Sequence, residues 1–381
     1  MRYVMLIIDG DAACKGGDLF NVLERAETPH LDRLGETGRV GALAATPGTK
    51  PGHISAGHGL LTLLGYDASM VSGVTTAVFA AAAKGLGVGE ADWAMRVALV
   101  SVPPDDDEGL MLADAGASRE EIDALFDDLI AHWRETLPEH TERLTFRGTG
   151  AERLVIDRAA PTYANVETTP PGAVEGHPWI EHLPDGGDPI ASERLCTLIS
   201  ASRHFLADHP VNAARSEQGL TPVNLAWIWG AGSPAGLTPF IDHVPHSAAL
   251  LAELDNIVGA GSLIGLEAET VGEVDSLAGR IAGMNSELVI AAVSEPIERV
   301  DREIVGPLVA ALGDREENPW RLLVSLSHDP AGGFTPFVLA GSWVRSVVPR
   351  RLCDGVTSDL RVDPGCELLE YVLRAGLRGR A

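Results

Sequence analysis

Residues 3-YVMLIIDG-10 form an unbroken apolar run, rich in branched side chains, that stops on an acid and a glycine. A run of this length, apolar on both alternating faces, is the pattern of a strand buried on both sides in a parallel sheet. Its C-terminal end carries Asp9, and in open α/β sheets ligands bind at that end. The same grammar recurs downstream. Arg39 to Thr46, 287-ELVIAAV, 321-RLLVSL and 336-PFVLAGS read as further strands. Helical stretches lie between them at 28-TPHLDRLGETG, 193-ERLCTLISASRHFLADHP, 246-HSAALLAELDNIVG and 296-PIERVDREIVGPLVAALG. Strands alternating with helices predict an α/β fold, a mostly parallel sheet with helices on both faces.

Between about residues 75 and 185 the character changes. A small apolar stretch, Thr75 to Ala83, precedes a strand at Ala98 to Val102 and an acidic turn, 103-PPDDDEG. Ser118 followed by Glu121 predicts a capping box opening an amphipathic helix, with Ile122, Leu125, Phe126, Leu129 and Ile130 on one face. The Pro/Gly-rich 168-TTPPGAVEGHPWIEHLPDGGDP reads as a crossing linker. The expected organisation is a discontinuous core, 1–74 and 186–381, with an inserted α+β lid domain at 75–185.

A formal charge of −25 argues against binding nucleic-acid backbones or anionic membrane surfaces. A small anionic ligand stays compatible with it, because arginines such as Arg96, Arg203 and Arg215 oppose the global sign locally. The four cysteines form no CxxC pair, so a thiolate zinc site is not expected. Val4 to Ile8 is too short for a signal peptide or a membrane span. A reduced cytoplasmic protein is the expectation.

Several segments together resemble the archaeal-type cofactor-independent phosphoglycerate mutases of the alkaline phosphatase superfamily. They are 3-YVMLIIDG, 28-TPHLDRLGETGRVG, 63-LLGYD, 209-HPVNAARSEQGLTPVNLAWIWGAG, 298-ERVDREIVGPL and 336-PFVLAG. The resemblance implies an alkaline-phosphatase-like core with a lid. It also implies a serine that carries a phosphoryl group and two divalent cations (Mn, Mg or Zn) held by aspartates and histidines at strand ends.

The chain departs from that pattern where the chemistry would sit. Asp9 matches the first metal aspartate. Around the nucleophile the family has Pro-Gly-Ser, whereas this chain has 51-PGHISAGH-58. Ser55 is then the candidate nucleophile in a shifted register, flanked by His53 and His58. After 287-ELVIAAV the family's Asp and His are missing, and Ser294-Glu295-Pro296 runs directly into the next helix. After the strand at 321, Ser327 stands at the Asp position, His328 survives, and 329-DPAGGFTP lacks a further histidine. Asp9 and His328 are the aligned metal candidates, expected to hold a metal weakly or not at all.

On the substrate side the resemblance implies Arg96. Asn212, Arg215, Asn224 and Trp229 of the HPVN…WIWG block either line the cleft or lock its turns. A rebuilt metal centre joining His53, His58, Asp242, His243 and His246 to Asp9 and His328 is a further option. The expected function is that of a diverged homologue without two-metal mutase chemistry, binding an anionic small molecule, a protein partner or a second copy of itself. The alternatives are a metal-dependent phosphotransferase or isomerase with a rearranged Ser/His/Asp site, and a metal-free acid/base enzyme using His53 or His58.

Overall fold

The computed structural model describes residues 1–14, 19–44, 56–103, 109–148, 150–158, 163–272, 274–314, 316–327, 335–346, 348–355 and 357–374. In chain order the strands are β1 Arg2–Ile8, β2 Arg39–Leu43, β3 Trp93–Val100, β4 Leu144–Arg147, β5 Glu152–Asp157 and β6 Leu225–Gly232. They continue with β7 Ala248–Ala252, β8 Glu267–Thr270, β9 Leu288–Val293, β10 Trp320–Leu326, β11 Thr335–Gly341 and β12 Arg361–Val362. The chain divides into two compact units, Met1–Val71 with Leu237–Ala381, and Ser72–Gly236.

The first unit carries an eight-stranded sheet in the order β12-β2-β11-β10-β1-β9-β7-β8. β1 lies at its centre and pairs in parallel with both β9 and β10. β11 is the exception, antiparallel to β10 and to β2. The apolar runs read from the sequence explain this order, since the strands buried throughout occupy the middle. Val4, Leu6 and Ile8 share one core with Val289, Ala291, Val293, Leu322, Val324 and Leu326. Each fully buried branched side chain of this kind stabilises the fold by roughly 1.5–3 kcal/mol relative to exposure.

The 246-HSAALLAELDNIVG stretch departs from the helical expectation. Ala248–Ala252 is strand β7, and the helix starts only at Asp255. A five-residue apolar run flanked by β9 and β8 is buried on both faces, and its periodicity cannot separate strand from buried helix. The helix Pro29–Thr37 ends at Gly38 as expected, but its cap is not the expected one. Thr28 makes no side-chain capping bond. Instead Asp301 accepts from the backbone N–H groups of His30 (3.2 Å) and Leu31 (2.7 Å). Asp301 lies in a π-helical stretch, Val300–Val305, within the helix that the sequence placed there. Burial pushes its carboxyl above the ordinary value, against the pull of those two N–H donors.

The second unit is built on a four-stranded antiparallel sheet, β4-β5-β3-β6. The helix Arg119–Thr136 opens with the capping box read from the sequence, Ser118 and Glu121 bonding reciprocally. The boundary at 185 moves. β6 pairs with β3, and the helix Pro189–Ala207 packs on β6. Residues 186–236 therefore belong to the second unit. The proline-rich stretch near 168–187 is part of it too, not a linker leaving it. Trp227 Nε1 donates to the Thr169 carbonyl (2.7 Å) and the Gly230 N–H to Thr168 Oγ1 (2.9 Å). Proline and glycine here make turns bound to the sheet edge, which composition alone cannot distinguish from a tether.

Candidate functional site

The register of the first sheet brings three strand ends level. Asp9 N–H donates to the Val293 carbonyl (2.8 Å), and Ser327 N–H donates to the Ile8 carbonyl (2.6 Å). Asp9, Ser294 and Ser327 thus follow β1, β9 and β10 at one edge, the carboxyl edge that the first strand pointed to. Their side chains interlock. Ser294 Oγ donates to Asp9 Oδ2 at 3.4 Å, and Ser327 Oγ accepts from the Gly10 N–H at 3.3 Å. Asp9 Oδ1 also accepts from the Ala12 N–H (3.4 Å), starting the short helix Gly10–Cys14.

Two further carboxylates stand at this edge. Glu295, which directly follows Ser294, is held by Arg299 at 2.7 Å. Arg299 also binds Glu303 and Asp275. The Arg302 and Arg299 guanidiniums pull Glu303 down to about 2. Glu253, which follows β7, was not singled out from the sequence. Its Oε2 accepts from the Ser294 N–H at 2.5 Å. Only the pairing of β7 beside β9 reveals it, and that pairing was hidden by the helical reading of 246–259.

Among the described residues no three His, Cys, Asp or Glu side chains converge as a metal-holding group. The described donors at this edge are one carboxylate joined to a serine, two hydroxyls, and two glutamates already engaged. Hard divalent cations take several charged or carbonyl oxygens, so this set does not by itself fit a pair of them. His53, Ser55, His328 and Asp329 lie outside the described residues. His58 is half-buried on the helix Ala56–Leu63, which begins directly after Ser55.

The 242-DHVPH segment does not build a new centre with Asp9. His246 contacts Glu287 (3.2 Å) and lies tilted beside the Tyr3 ring, 5.6 Å between centroids, at the opposite end of β1. Six residues of strand separate Tyr3 from Asp9, about 20 Å at 3.3 Å per residue. His243 pairs with Thr238 Oγ1 (2.5 Å) and sits edge-on to Tyr66.

In the second unit the candidate substrate residues divide. Asn212 is buried, donating to the carbonyls of Leu206 (2.7 Å) and Val223 (2.8 Å) and accepting from the Val223 N–H (2.8 Å). Asn224 is buried and bonds both backbone groups of Val102. Arg215 is 1% exposed and reaches the Thr221 and Ala115 carbonyls and Glu121. These three side chains hold turns together, the structural alternative of the sequence reading. Arg96 differs. Its side chain is 23% exposed, pairs with Glu152 at 2.5 Å, and lies over the Trp229 ring at 5.6 Å.

A family model described as 2,3-bisphosphoglycerate-independent phosphoglycerate mutase matches residues 35–212. The mutase of that name from Methanopyrus kandleri is 30% identical, across 100% of this chain and 93% of its own length. The chain belongs to the 2,3-bisphosphoglycerate-independent phosphoglycerate mutase family. Another member, from Methanosarcina mazei, is 29% identical over 86% of both chains.

Solved structures repeat the fold of this family. A Pyrococcus horikoshii protein superposes with a TM-score of 0.71 at 20% identity, covering 100% of this chain and 99% of its own. The cofactor-independent phosphoglycerate mutase of Thermoplasma acidophilum superposes with a TM-score of 0.66 at 16% identity, covering 99% and 100%. Among the described residues no helix is long and apolar enough to cross a membrane.

Proposed function

We propose that this chain is a diverged member of its family that has lost two-metal mutase chemistry and binds a small anionic molecule, phosphorylated or carboxylated. The observation that carries this reading is the state of the carboxyl edge. Where the family resemblance implies charged ligands after β9 and β10, this chain has the neutral hydroxyls of Ser294 and Ser327. The neighbouring glutamates are tied to Arg299 and to the Ser294 amide. A hydroxyl brings no charge to a divalent cation, and the transferred phosphoryl group needs that charge neutralised. The ligand class follows from the relatives, whose names make them phosphoglycerate mutases, and from the partly exposed Arg96.

The test loads purified protein with excess manganese or zinc, desalts it, and measures bound metal alongside conversion of 3- to 2-phosphoglycerate. Substoichiometric metal and no conversion are expected. Retention near two equivalents, lost in Asp9→Asn, together with turnover, would sink the proposal.

A second reading, a rearranged phosphotransferase using Ser55, His53, His58, Asp9 and His328, draws on one observation. The helix beginning after Ser55 packs against Asp255–Leu263, the helix that leaves the carboxyl end of β7. Under that reading the wild-type chain turns over substrate and Ser55→Ala abolishes turnover; under the first, neither protein converts 3- to 2-phosphoglycerate.

A further inference from the structure

Within the second unit, Arg96 and Trp229 face each other across β3 and β6 beside an irregularity in the ladder. Ala94 pairs with Gly232 and Arg96 with Trp229, so β6 carries one residue more than β3 between the two pairs. Gly230 takes up the extra residue at φ +69, a conformation that favours glycine. Such bulges re-aim side chains and gather beside functional sites. This one is fixed on both sides. Thr75 Oγ1 donates to the Gly230 carbonyl at 2.7 Å, and the Gly230 N–H donates to Thr168 Oγ1 at 2.9 Å.

Each residue of this cross-strand pair carries a buried donor. Arg96 Nε and Trp229 Nε1 are both buried and, among the described residues, have no hydrogen-bond partner. Buried N–H groups are mostly paired, with protein or ordered water, so an unpaired one calls for an explanation. The remaining nitrogens of Arg96 are engaged, Nη1 with Glu152 Oε2 (2.5 Å) and Nη2 with the Thr76 carbonyl (3.4 Å). Glu152 reaches Arg96 along the diagonal of the β3–β5 ladder, opposite Ala98. The guanidinium charge is therefore already balanced within the protein, while two N–H donors remain without an acceptor among the described residues.

We infer that Glu152 is a specificity-determining residue: it cancels the charge of Arg96, so that the Arg96–Trp229 pair accepts a monoanionic carboxylate and disfavours a phosphate dianion. This rests on the reading that Arg96 meets an anion. Two neutralised donors suit one carboxylate, which accepts two N–H bonds in a fork. A dianion placed there adds two charges next to the Glu152 carboxylate, and like charges at that range discriminate strongly.

The test is calorimetric titration of the full chain with inorganic phosphate and with glycerate. Wild type is expected to prefer glycerate. Glu152→Gln keeps an oxygen for Arg96 but removes the charge. It should tighten phosphate binding about tenfold and move glycerate less. Adding Arg96→Gln should erase the gain, and circular dichroism of each variant confirms that the fold is intact. Phosphate affinity unchanged within a factor of about two in Glu152→Gln, a gain that survives Arg96→Gln, or failure of both anions to bind would each overturn the inference. Metal-dependent turnover would instead sink the proposed loss of mutase chemistry while leaving the phosphate-to-glycerate ratio readable.

Discussion

Replacing Arg215 by methionine separates a framework arginine from a ligand contact. The side chain is 1% exposed and donates to the Thr221 carbonyl (2.9 Å), the Ala115 carbonyl (2.7 Å) and the Glu121 carboxylate (2.9 Å). Methionine keeps part of the packing volume and removes all three donors. Two charge-assisted bonds to backbone carbonyls are worth roughly 1.5 kcal/mol each. The ion pair adds less than about 1 kcal/mol, since solvent screens a partly exposed carboxylate. The Glu121 side chain is 30% exposed, which places it in that class.

The sum is a loss of about 3–4 kcal/mol. Arg215→Lys returns one of three donors and should recover less than half of it. Urea unfolding followed by tryptophan fluorescence suits the measurement. Five of the seven tryptophans (Trp93, Trp133, Trp179, Trp227 and Trp229) lie in the second unit. A loss below about 1 kcal/mol accompanied by abolished anion binding would refute the framework assignment and restore Arg215 to the ligand site.

Three other outcomes are expected. Glu121 has its carboxyl held below the ordinary value, first by the Ser118 backbone N–H and also by Arg215. Its stabilisation is therefore present above the unfolded value and is lost as pH falls through the lowered folded one. Glu121→Gln should flatten that acid limb in a melting-temperature series across pH, modestly, because the group is exposed; an unchanged slope would contradict the assignment. Gly341→Ala should cost about 3 kcal/mol or more. Gly341 sits at φ +126, and a Cβ there would collide with the Trp320 carbonyl oxygen; a wild-type urea midpoint would show that the end of β11 beside the start of β10 is shaped otherwise. Arg194→Met should destabilise by about 3–5 kcal/mol. It takes the nearest cation from Asp157, a fully buried carboxylate, leaving it the Tyr163 hydroxyl and Arg143 at 4.0 Å. Adding Asp157→Asn should recover part of the loss in the same assay, and additive losses would count against a buried pair.

The large sheet was legible because its central strands are apolar on both faces, a pattern that survives without context. Val4 to Ile8, 287-ELVIAAV and 321-RLLVSL lie side by side as β1, β9 and β10. Shorter runs were less secure. Ala248–Ala252 has five residues, too few for periodicity to choose, and its misassignment also hid Glu253. The cap of the Pro29 helix was invisible for another reason. Thr28 satisfies the local rule, yet the oxygen that bonds the helix start comes from Asp301, some 270 residues away. Local capping rules describe which residue types satisfy a helix end, not which distant carboxylate competes for it.

The candidate site was legible in its positions and illegible in its engagements. The sequence places Asp9, Ser294, Glu295 and Ser327 after three strands, and the register makes those ends coincide. It does not say that Arg299 takes Glu295, that Glu253 takes the Ser294 amide, or that Glu152 takes Arg96. Each of these is a contact between a residue noticed in the sequence and one that was not a candidate there. All three act in the same direction, since each ties a charged side chain or its neighbour to an internal partner. In the first unit, a site that needs free carboxylates for cations is weakened by the first two; in the second unit, a site that needs a free arginine for a phosphate dianion is weakened by the third. A site that binds a monoanion through neutralised donors is weakened by none of them. The first two contacts thus bear on the proposed loss of two-metal chemistry and the third on the ligand charge inferred for the second unit, and the Glu152→Gln titration probes that third contact without changing the carboxyl edge.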